Sequence, residues 1–158
     1  IGVAGAGTIG AGIAQIFAQK GYEVVVTDIG EKYLENAKKI ISINNSSLIE
    51  EKLITESEAE NAMKKISFTT DKKAFSDADV IIEAIIEKID IKQDFWKEVE
   101  EIAKEDAIFA TNTSGLSITE ISEKVEKKGR FIGMHWWNPP QIIIVTELRT
   151  TLFINLLR

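Results

Sequence analysis

The feature that most constrains the fold is the glycine-rich stretch at residues 5–10, Gly-Ala-Gly-Thr-Ile-Gly, because it separates two apolar patterns of different period. Residues 1–4 before it form a short apolar run suited to a strand buried on both faces. After it, apolar residues recur at helical spacing until Gly21, which supplies a left-handed helix stop. The sequence therefore predicts a strand, a tight glycine turn and a helix over about residues 8–20.

The glycine turn has the chemistry of a phosphate-binding site. Backbone N–H groups at a helix N-terminus are unpaired, and the helix dipole favours an anion beside them. Glycines let a phosphate approach this backbone closely. The candidate residues of this site are Gly5, Gly7, Thr8, Ile9 and Gly10.

An acid stands where a dinucleotide site requires one. Val24 to Thr27 are β-branched and predict a second strand, which is followed by Asp28. A carboxylate at this strand end accepts hydrogen bonds from both ribose hydroxyls of an adenosine and repels a 2′-phosphate. The sequence therefore predicts NAD rather than NADP as the cofactor, with the alternative that Asp28 simply ends the strand.

Strands and helices alternate through the rest of the chain. Charged helical segments over residues 31–65 are predicted to break at residues 44–47, and Thr55 begins a capping box. The later predicted strands are residues 66–70, 80–86, 107–110, 131–134 and 142–145, and the later helices are residues 71–75, 89–104 and 117–129. This alternation is typical of an α/β fold with a doubly wound, mostly parallel sheet of the Rossmann type, here with a helical insertion after the second strand.

Two predictions concern side chains inside these elements. Glu83 interrupts the apolar run 80–86, and an acid is costly to bury unpaired. Glu83 therefore either lies at an exposed strand end or is bonded to nearby donors. Phe95 and Trp96 follow helical spacing and are assigned to the core.

Composition excludes several function classes. The 158 residues suit one globular domain, and the net charge of −6 argues against nucleic acid and acidic membranes as partners. The chain has no cysteine and one histidine, so no structural metal is expected. No apolar run reaches membrane-spanning length, and a cytoplasmic location is the default expectation.

Two polar loops follow later predicted strands, at residues 111–115 and 135–140. Ligands of open parallel sheets bind outside the carboxyl ends of the strands, so these loops should line the same crevice as the glycine turn. The second loop begins with His135, whose residue type both accepts and returns a proton near neutral pH. A carboxylate partner would fix its tautomer and raise its basicity. The alternative is a strand-end histidine with no chemical role.

The stretches 111–114 and 135–139, with Glu147 beyond them, resemble the NAD-binding domain of L-3-hydroxyacyl-CoA dehydrogenases, a family that includes the 3-hydroxybutyryl-CoA dehydrogenases. The resemblance runs from Ile1 to about Glu147 and includes the glycine turn, Asp28 and residues 83–87. It implies NAD as the cofactor, an acyl-CoA substrate in fatty acid metabolism, and hydride transfer from C3 of the substrate to the nicotinamide.

The resemblance also assigns roles to single residues. His135 matches the general base that takes the 3-hydroxyl proton, and Glu147 matches the glutamate that orients and stabilises it. Ser114 and Asn138 match residues that hydrogen-bond the substrate oxygen and neighbouring groups, although Ser114 suits a loop-capping hydroxyl equally well. The matches in the cofactor cleft are Ala84, Glu87, Lys92 and Asn112, with Asp28 as the ribose acid.

The chain departs from the family in three places. Trp136 and Trp137 stand where the family has phenylalanines and should narrow the pocket, and Gly115 should loosen the loop after Ser114. The sequence divides into an NAD-binding domain at residues 1–147 and an atypical tail at residues 148–158, where the family continues into a helical domain. This apolar tail packs on a partner such as a second copy of the chain, packs on the domain itself, or marks a truncated product.

Two other functions stay open at this point. One is a dehydrogenase for another hydroxy acid or a sugar acid, built on the same opening domain. The other is a dinucleotide-binding module without independent catalysis, because the helical domain is missing.

Overall fold

The computed structural model describes residues 1–140 and 146–150 and forms one sheet flanked by helices. The strands are β1 (Gly2–Ala4), β2 (Val24–Thr27), β3 (Ile66–Thr69), β4 (Val80–Glu83), β5 (Ile108–Thr111), β6 (Phe131–Trp136) and β7 (Thr146–Thr150). The α-helices are α1 (Thr8–Gln19), α2 (Glu31–Glu50), α3 (Glu56–Lys64), α4 (Ile89–Ile102) and α5 (Ile118–Ile121). Short 3₁₀ helices span Lys72–Phe75, Ser122–Lys124 and Lys128–Arg130.

The strand order is β3-β2-β1-β4-β5-β6-β7, so the chain leaves β1 toward one edge and returns to build the other. The six strands from β3 to β6 in this order are parallel, and β7 is antiparallel to β6. The predicted doubly wound, mostly parallel sheet is confirmed. The chain adds strands β2 and β3 on one side of β1 and strands β4 to β7 on the other, so the order of strands reverses between β1 and β4. Open α/β sheets bind ligands in the crevice at such a point.

Consecutive strand residues point to two different cores, as the two-residue period of a strand requires. Val3 packs with α1 and α2 on one face, whereas Ala4 packs with α4 on the other. Trp96 is fully buried in the second core, with its ring centroid 4.9 Å from that of Phe109. The core assignment of Phe95 and Trp96 is therefore confirmed.

The helical insertion is present, but the predicted break at residues 44–47 is wrong. Helix α2 continues through it to Glu50, and the break comes before Thr55, whose capping box begins α3 as predicted. The two asparagines at the expected break face α1. Asn45 accepts a hydrogen bond from the Gln15 amide at 2.7 Å, and Asn44 donates one to the Gln15 oxygen at 3.0 Å. These tertiary bonds satisfy side chains that would otherwise favour a turn.

The predicted helix over residues 117–129 is also too long. Ser117 caps α5 as expected, but after Ser122–Lys124 the backbone becomes extended at Val125, which is buried. The next two N–H groups, those of Glu126 and Lys127, donate to the carboxylate of Glu100 at 2.7 and 3.1 Å. A helix through these residues would need those donors for its own hydrogen bonds.

The C-terminal part of the sheet differs from the prediction in its boundaries. Strand β6 extends to Trp136, so His135 lies within a strand rather than in the following loop. The predicted strand at residues 142–145 lies outside the described residues. Glu147 belongs to β7, and this strand carries residues 148–150 of the predicted tail, while residues 151–158 lie outside the described part. Within the described residues, no helix is long and apolar enough to cross a membrane.

Candidate active site

The glycine turn depends on its glycines for packing. Gly5 has a φ of 97°, and a Cβ at this residue would lie 2.5 Å from the carbonyl oxygen of Ala84. A Cβ on Gly10 would overlap the carbonyl oxygen of Gly5, so α1 packs directly on the turn. In contrast, Gly7 has no atom within 4 Å of its added Cβ. A side chain would therefore clash with neighbouring backbone at Gly5 and Gly10, whereas the space beside Gly7 is open.

Helix α1 begins at Thr8 with its N-terminal donors available for a ligand. Its N-cap is Gly7, which has no side chain to accept a hydrogen bond, and the first turn of α1 holds no acidic residue. A helix N-terminus with free N–H groups and no competing carboxylate favours an anion. This geometry suits the predicted phosphate site.

Asp28 connects the glycine turn to the end of β2. One carboxylate oxygen accepts a hydrogen bond from the Ala6 N–H at 2.7 Å, and the other accepts one from the Ile29 N–H at 2.7 Å. The side chain stays partly exposed beside the turn. A carboxylate oxygen accepts more than one hydrogen bond, so both oxygens keep capacity for ligand hydroxyls. Its contact with a ribose stays a prediction.

Glu83 is fully buried at the end of β4 and is bonded rather than exposed, which resolves the alternative left by the sequence. Its carboxylate accepts hydrogen bonds from the ammonium of Lys92, from the Ile85 N–H at 3.0 Å and from the Thr111 hydroxyl at 2.8 Å. Strand β4 ends at Glu83, three residues earlier than predicted. Lys92 is itself only 1% exposed.

Glu87 links this buried ion pair to the surface of the crevice. One of its oxygens lies 3.1 Å from the Lys92 ammonium, and the other accepts hydrogen bonds from the Thr113 hydroxyl and from the Ser114 N–H at 3.3 Å. Burial alone would raise the pKa of Glu87, but the hydrogen bonds from Thr113 and Lys92 and the charge of Lys92 hold this pKa below its ordinary value. Glu87 is therefore a carboxylate at neutral pH.

A cleft of about 350 Å³ lies at the carboxyl ends of the central strands. The cleft brings together residues of the first turn of α1, the loops after β4 and β5, and the end of β6. Asn112 connects the loop after β5 to the end of β6, because its side-chain oxygen accepts a hydrogen bond from the Trp136 N–H at 2.8 Å. The lining residues are Ile9, Glu87, Asn112, Ser114, His135, Trp136, Trp137 and Asn138.

His135 and Glu147 face each other across the antiparallel pair of β6 and β7. They are register partners, and Nδ1 of His135 lies 3.7 Å from Oε2 of Glu147, which is longer than a hydrogen bond. Among the described residues, Nδ1 has no hydrogen-bond partner. The sequence predicts this pairing from the resemblance alone, and it misses the antiparallel strand that creates it.

Arg149 is a neighbour of Glu147 that sequence reasoning missed. It lies two residues further along β7, hence on the same face, and its guanidinium is hydrogen-bonded to Oε2 of Glu147. This hydrogen bond is the largest effect on Glu147 and lowers the pKa of its carboxyl, with smaller contributions from the charges of Arg149 and His135. Alternation within a strand was the signal that could have found Arg149, had β7 been placed correctly.

The structure does not bring every predicted site residue into the cleft. Asp28 is hydrogen-bonded to the glycine turn and is not among the residues that line the cleft. Lys92 lies behind Glu87, in the protein interior. The sequence assigned no individual role to the buried residues Glu83, Thr111 and Thr113, although their segments belong to the stretches that carry the resemblance.

Comparison with known proteins places these features in a family. Residues 1–152 match the family model described as 3-hydroxyacyl-CoA dehydrogenase, NAD binding domain. A probable 3-hydroxybutyryl-CoA dehydrogenase from Deinococcus radiodurans is 39% identical over 147 residues, which cover 93% of this chain and 52% of that protein. The chain thus spans about half the length of the curated relatives that it matches.

Solved structures agree with the sequence comparison. The crystal structure of (S)-3-hydroxybutyryl-CoA dehydrogenase from Ralstonia eutropha superposes with a TM-score of 0.91 at 32% identity, covering 99% of this chain and 58% of that one. An NAD⁺-dependent dismutase, a 5-dehydrogenase of a pyridine carboxylic acid, gives a TM-score of 0.82 at 33% identity and covers 93% and 47%. The chain therefore belongs to the family of NAD-binding domains of 3-hydroxyacyl-CoA dehydrogenases, whose cofactor is NAD.

Proposed function

We propose that this domain binds NAD across the carboxyl ends of its strands and acts in the interconversion of L-3-hydroxyacyl-CoA and 3-oxoacyl-CoA. The observation that carries the proposal is the single cleft that joins Ile9, in the first turn of α1, to His135, Ser114 and Asn138. In this arrangement the pyrophosphate lies at the glycine turn, the adenosine ribose at Asp28, and the nicotinamide in the cleft.

Among the described residues that line the cleft, His135 is the one suited to proton transfer near neutral pH. NAD, when bound, supplies the hydride acceptor. His135 takes the 3-hydroxyl proton through Nε2, because Nδ1 is the ring nitrogen that faces Glu147. Glu147 stabilises the protonated imidazole once their 3.7 Å separation shortens to a hydrogen bond. The low pKa of Glu147 keeps it a carboxylate, and hence a hydrogen-bond acceptor, throughout the neutral range.

Two further side chains on the cleft suit a substrate oxygen. Ser114 and Asn138 are exposed residues that line the same cleft as His135. A hydroxyl and an amide N–H both donate to an oxygen on which negative charge develops, which stabilises the transition state of hydride transfer. Trp137 is 47% exposed on the same wall and would limit the space for an acyl chain.

The related 3-hydroxybutyryl-CoA dehydrogenases are about twice as long as this chain, so the residues that hold the acyl-CoA are proposed to lie largely outside the described domain. We propose the boundary of the NAD-binding domain near residue 150, at the end of β7. A dehydrogenase for another substrate is the second candidate, since the pyridine 5-dehydrogenase shares this domain at 33% identity.

The test titrates the purified chain with NADH by fluorescence and then follows NADH absorbance with acetoacetyl-CoA. We expect NADH binding, and we expect any turnover to disappear in His135→Gln with NADH affinity retained. The control Glu98→Gln alters an exposed carboxylate on α4 and should change neither result. Binding without turnover would favour a module that requires further chain for catalysis, and absence of NADH binding would refute the proposal.

A further inference from the structure

Arg149 is a charged side chain beside the cleft that the proposed reaction does not use. It lies on β7, two residues after Glu147 and on the same face of the sheet, and its guanidinium donates a hydrogen bond to Oε2 of Glu147. Nδ1 of His135 approaches that same oxygen to 3.7 Å, which is longer than a hydrogen bond. One carboxylate oxygen thus faces two nitrogen groups, and it is bonded to Arg149 rather than to the imidazole.

The pairing of β6 with β7 places Arg149 diagonally opposite His135. Glu147 is the register partner of His135, and Arg149 is the register partner of Gly133. A Cβ on Gly133 would lie 3.4 Å from Cβ of Arg149 and 2.3 Å from Cδ1 of Ile118, so a larger residue there would crowd this face. Arg149 therefore reaches Glu147 along its own strand, whereas the imidazole must reach it across the strand pair.

Few charges surround the imidazole. Among the described residues, those that share the strand pair or the cleft with His135 are Glu147, Arg149 and Glu87. Glu87 is already paired with Lys92, so Glu147 is the carboxylate whose position most affects a positive charge on the imidazole. An arginine stays protonated throughout the pH range in which a histidine titrates, so the contact of Arg149 with Glu147 persists across that range.

We propose that Arg149 is a positioning residue for His135: it holds the Glu147 carboxylate out of hydrogen-bond range of Nδ1, and the imidazole therefore stays a neutral base to lower pH than Glu147 alone would allow. This inference rests on the proposed role of His135 as general base. When the imidazole takes a proton through Nε2 it becomes a cation, and Oε2 of Glu147 then stabilises two cations instead of one. Arg149 thus sets how strongly Glu147 stabilises the protonated imidazole.

The experiment follows the ring C–H resonances of His135 by NMR as the pH is raised. The chain contains one histidine, so these resonances are assigned without ambiguity. Arg149→Met removes the guanidinium and keeps an unbranched side chain, which lets Glu147 close on Nδ1, so the imidazole should hold its proton to higher pH. We expect its protonation constant to rise about fivefold, which moves the titration midpoint up by about 0.7 pH unit and corresponds to one exposed ion pair.

A second comparison separates action through Glu147 from direct repulsion between Arg149 and His135. Diagonal neighbours in an antiparallel strand pair are about 7–8 Å apart, and at about 0.15 M salt charges at this separation are largely screened. In a Glu147→Gln background, Arg149→Met should therefore change the protonation constant by less than about twofold.

Two further variants act as controls for the loss of a cation. Arg149→Lys keeps a cation beside Glu147 and should hold the wild-type midpoint within about twofold in the protonation constant. Lys104→Met removes an exposed cation from its ion pair with Asp79, at the amino ends of β4 and β5, and should leave the midpoint unchanged.

The outcomes separate this inference from the proposed function. The titration of His135 requires neither NADH nor turnover, so a wild-type chain that fails to bind NADH would refute the proposed function without changing the expected midpoints. The positioning role is overturned in three cases: Arg149→Met does not raise the midpoint, it raises the midpoint equally in the Glu147→Gln background, or Arg149→Lys shifts the midpoint as far as Arg149→Met. A rise that requires Glu147 and that lysine prevents supports the positioning role.

Discussion

The substitution Gly5→Ala tests the packing of the glycine turn. Its expected cost in the free energy of unfolding has two separable contributions. The first is backbone strain, because φ at Gly5 is 97°, a conformation that side chains rarely adopt. This strain costs about 1–2 kcal/mol. The second is overlap, because the new Cβ would lie 2.5 Å from the oxygen and 2.8 Å from the carbon of the Ala84 carbonyl. A backbone carbonyl cannot rotate away, so overpacking adds about 1–3 kcal/mol.

Two other glycines provide matched controls. Gly21 has a φ of 92° with nothing within 4 Å of an added Cβ, so Gly21→Ala carries the strain without the overlap. Gly7 has a φ of −75° and equally open space, so Gly7→Ala carries neither. We expect the free energy of unfolding to fall by about 2–5 kcal/mol for Gly5→Ala, by about 1–2 kcal/mol for Gly21→Ala and by less than about 1 kcal/mol for Gly7→Ala.

The assay is thermal unfolding followed by circular dichroism, together with NADH titration. In a domain of this size each kcal/mol lowers Tm by about 2–4 °C, so Gly5→Ala should lower it by about 4–20 °C. Gly7→Ala should lower Tm by less than about 4 °C but weaken the affinity for NADH, because its methyl group would stand where the proposed phosphate approaches the backbone. The reasoning would be refuted if Gly5→Ala and Gly21→Ala had equal Tm values, since the overlap with Ala84 would then have no cost.

Three further predictions follow from single contacts. Asp28→Ala should weaken the affinity for NADH at least about tenfold, measured by fluorescence, because it removes the proposed ribose acceptor and leaves the Ala6 N–H without its partner; unchanged affinity would place the ribose elsewhere. The pKa of Glu87 is below its ordinary value of 4.5, so its ionised form contributes stability that is fully present above about pH 4.5 and is lost as the pH falls through the lower folded value. Urea unfolding at pH 7 and pH 3.5 should therefore show a smaller loss of stability in Glu87→Gln than in wild type, and an identical loss would contradict the shift. Asn45→Ala should reduce the free energy of unfolding by about 1–3 kcal/mol, because Gln15 loses a buried acceptor, whereas the exposed Ser46→Ala should have little effect.

The glycine turn, the first helix and the second strand were predictable because their signals are local. Apolar period, glycine positions and the acid after β2 each depend on a few neighbouring residues, and the structure reproduces α1 to within one residue of the prediction. The resemblance to a known family identified further candidate residues in the later loops. Three of them, Ser114, His135 and Asn138, line one cleft in the structure.

The errors occurred where a distant partner decides local structure. Asn44 and Asn45 resemble a helix break in sequence, but hydrogen bonds to Gln15 on α1 keep α2 continuous. Glu100 on α4 takes the N–H groups that would have extended α5. In each case the partner lies about 25–30 residues away, beyond the reach of any periodic pattern.

The sequence by itself determined most of the succession of strands and helices, the glycine turn between β1 and α1, and the residue types available for hydride chemistry, because these follow from local periodicity and from composition. Only the tertiary structure decided how those residues are held. It buried Glu83 against Lys92, aligned His135 with Glu147 across antiparallel strands, and gave Glu147 the competing partner Arg149. Burial and ion pairing depend on which strands are neighbours, and that is fixed by the packing of the whole sheet.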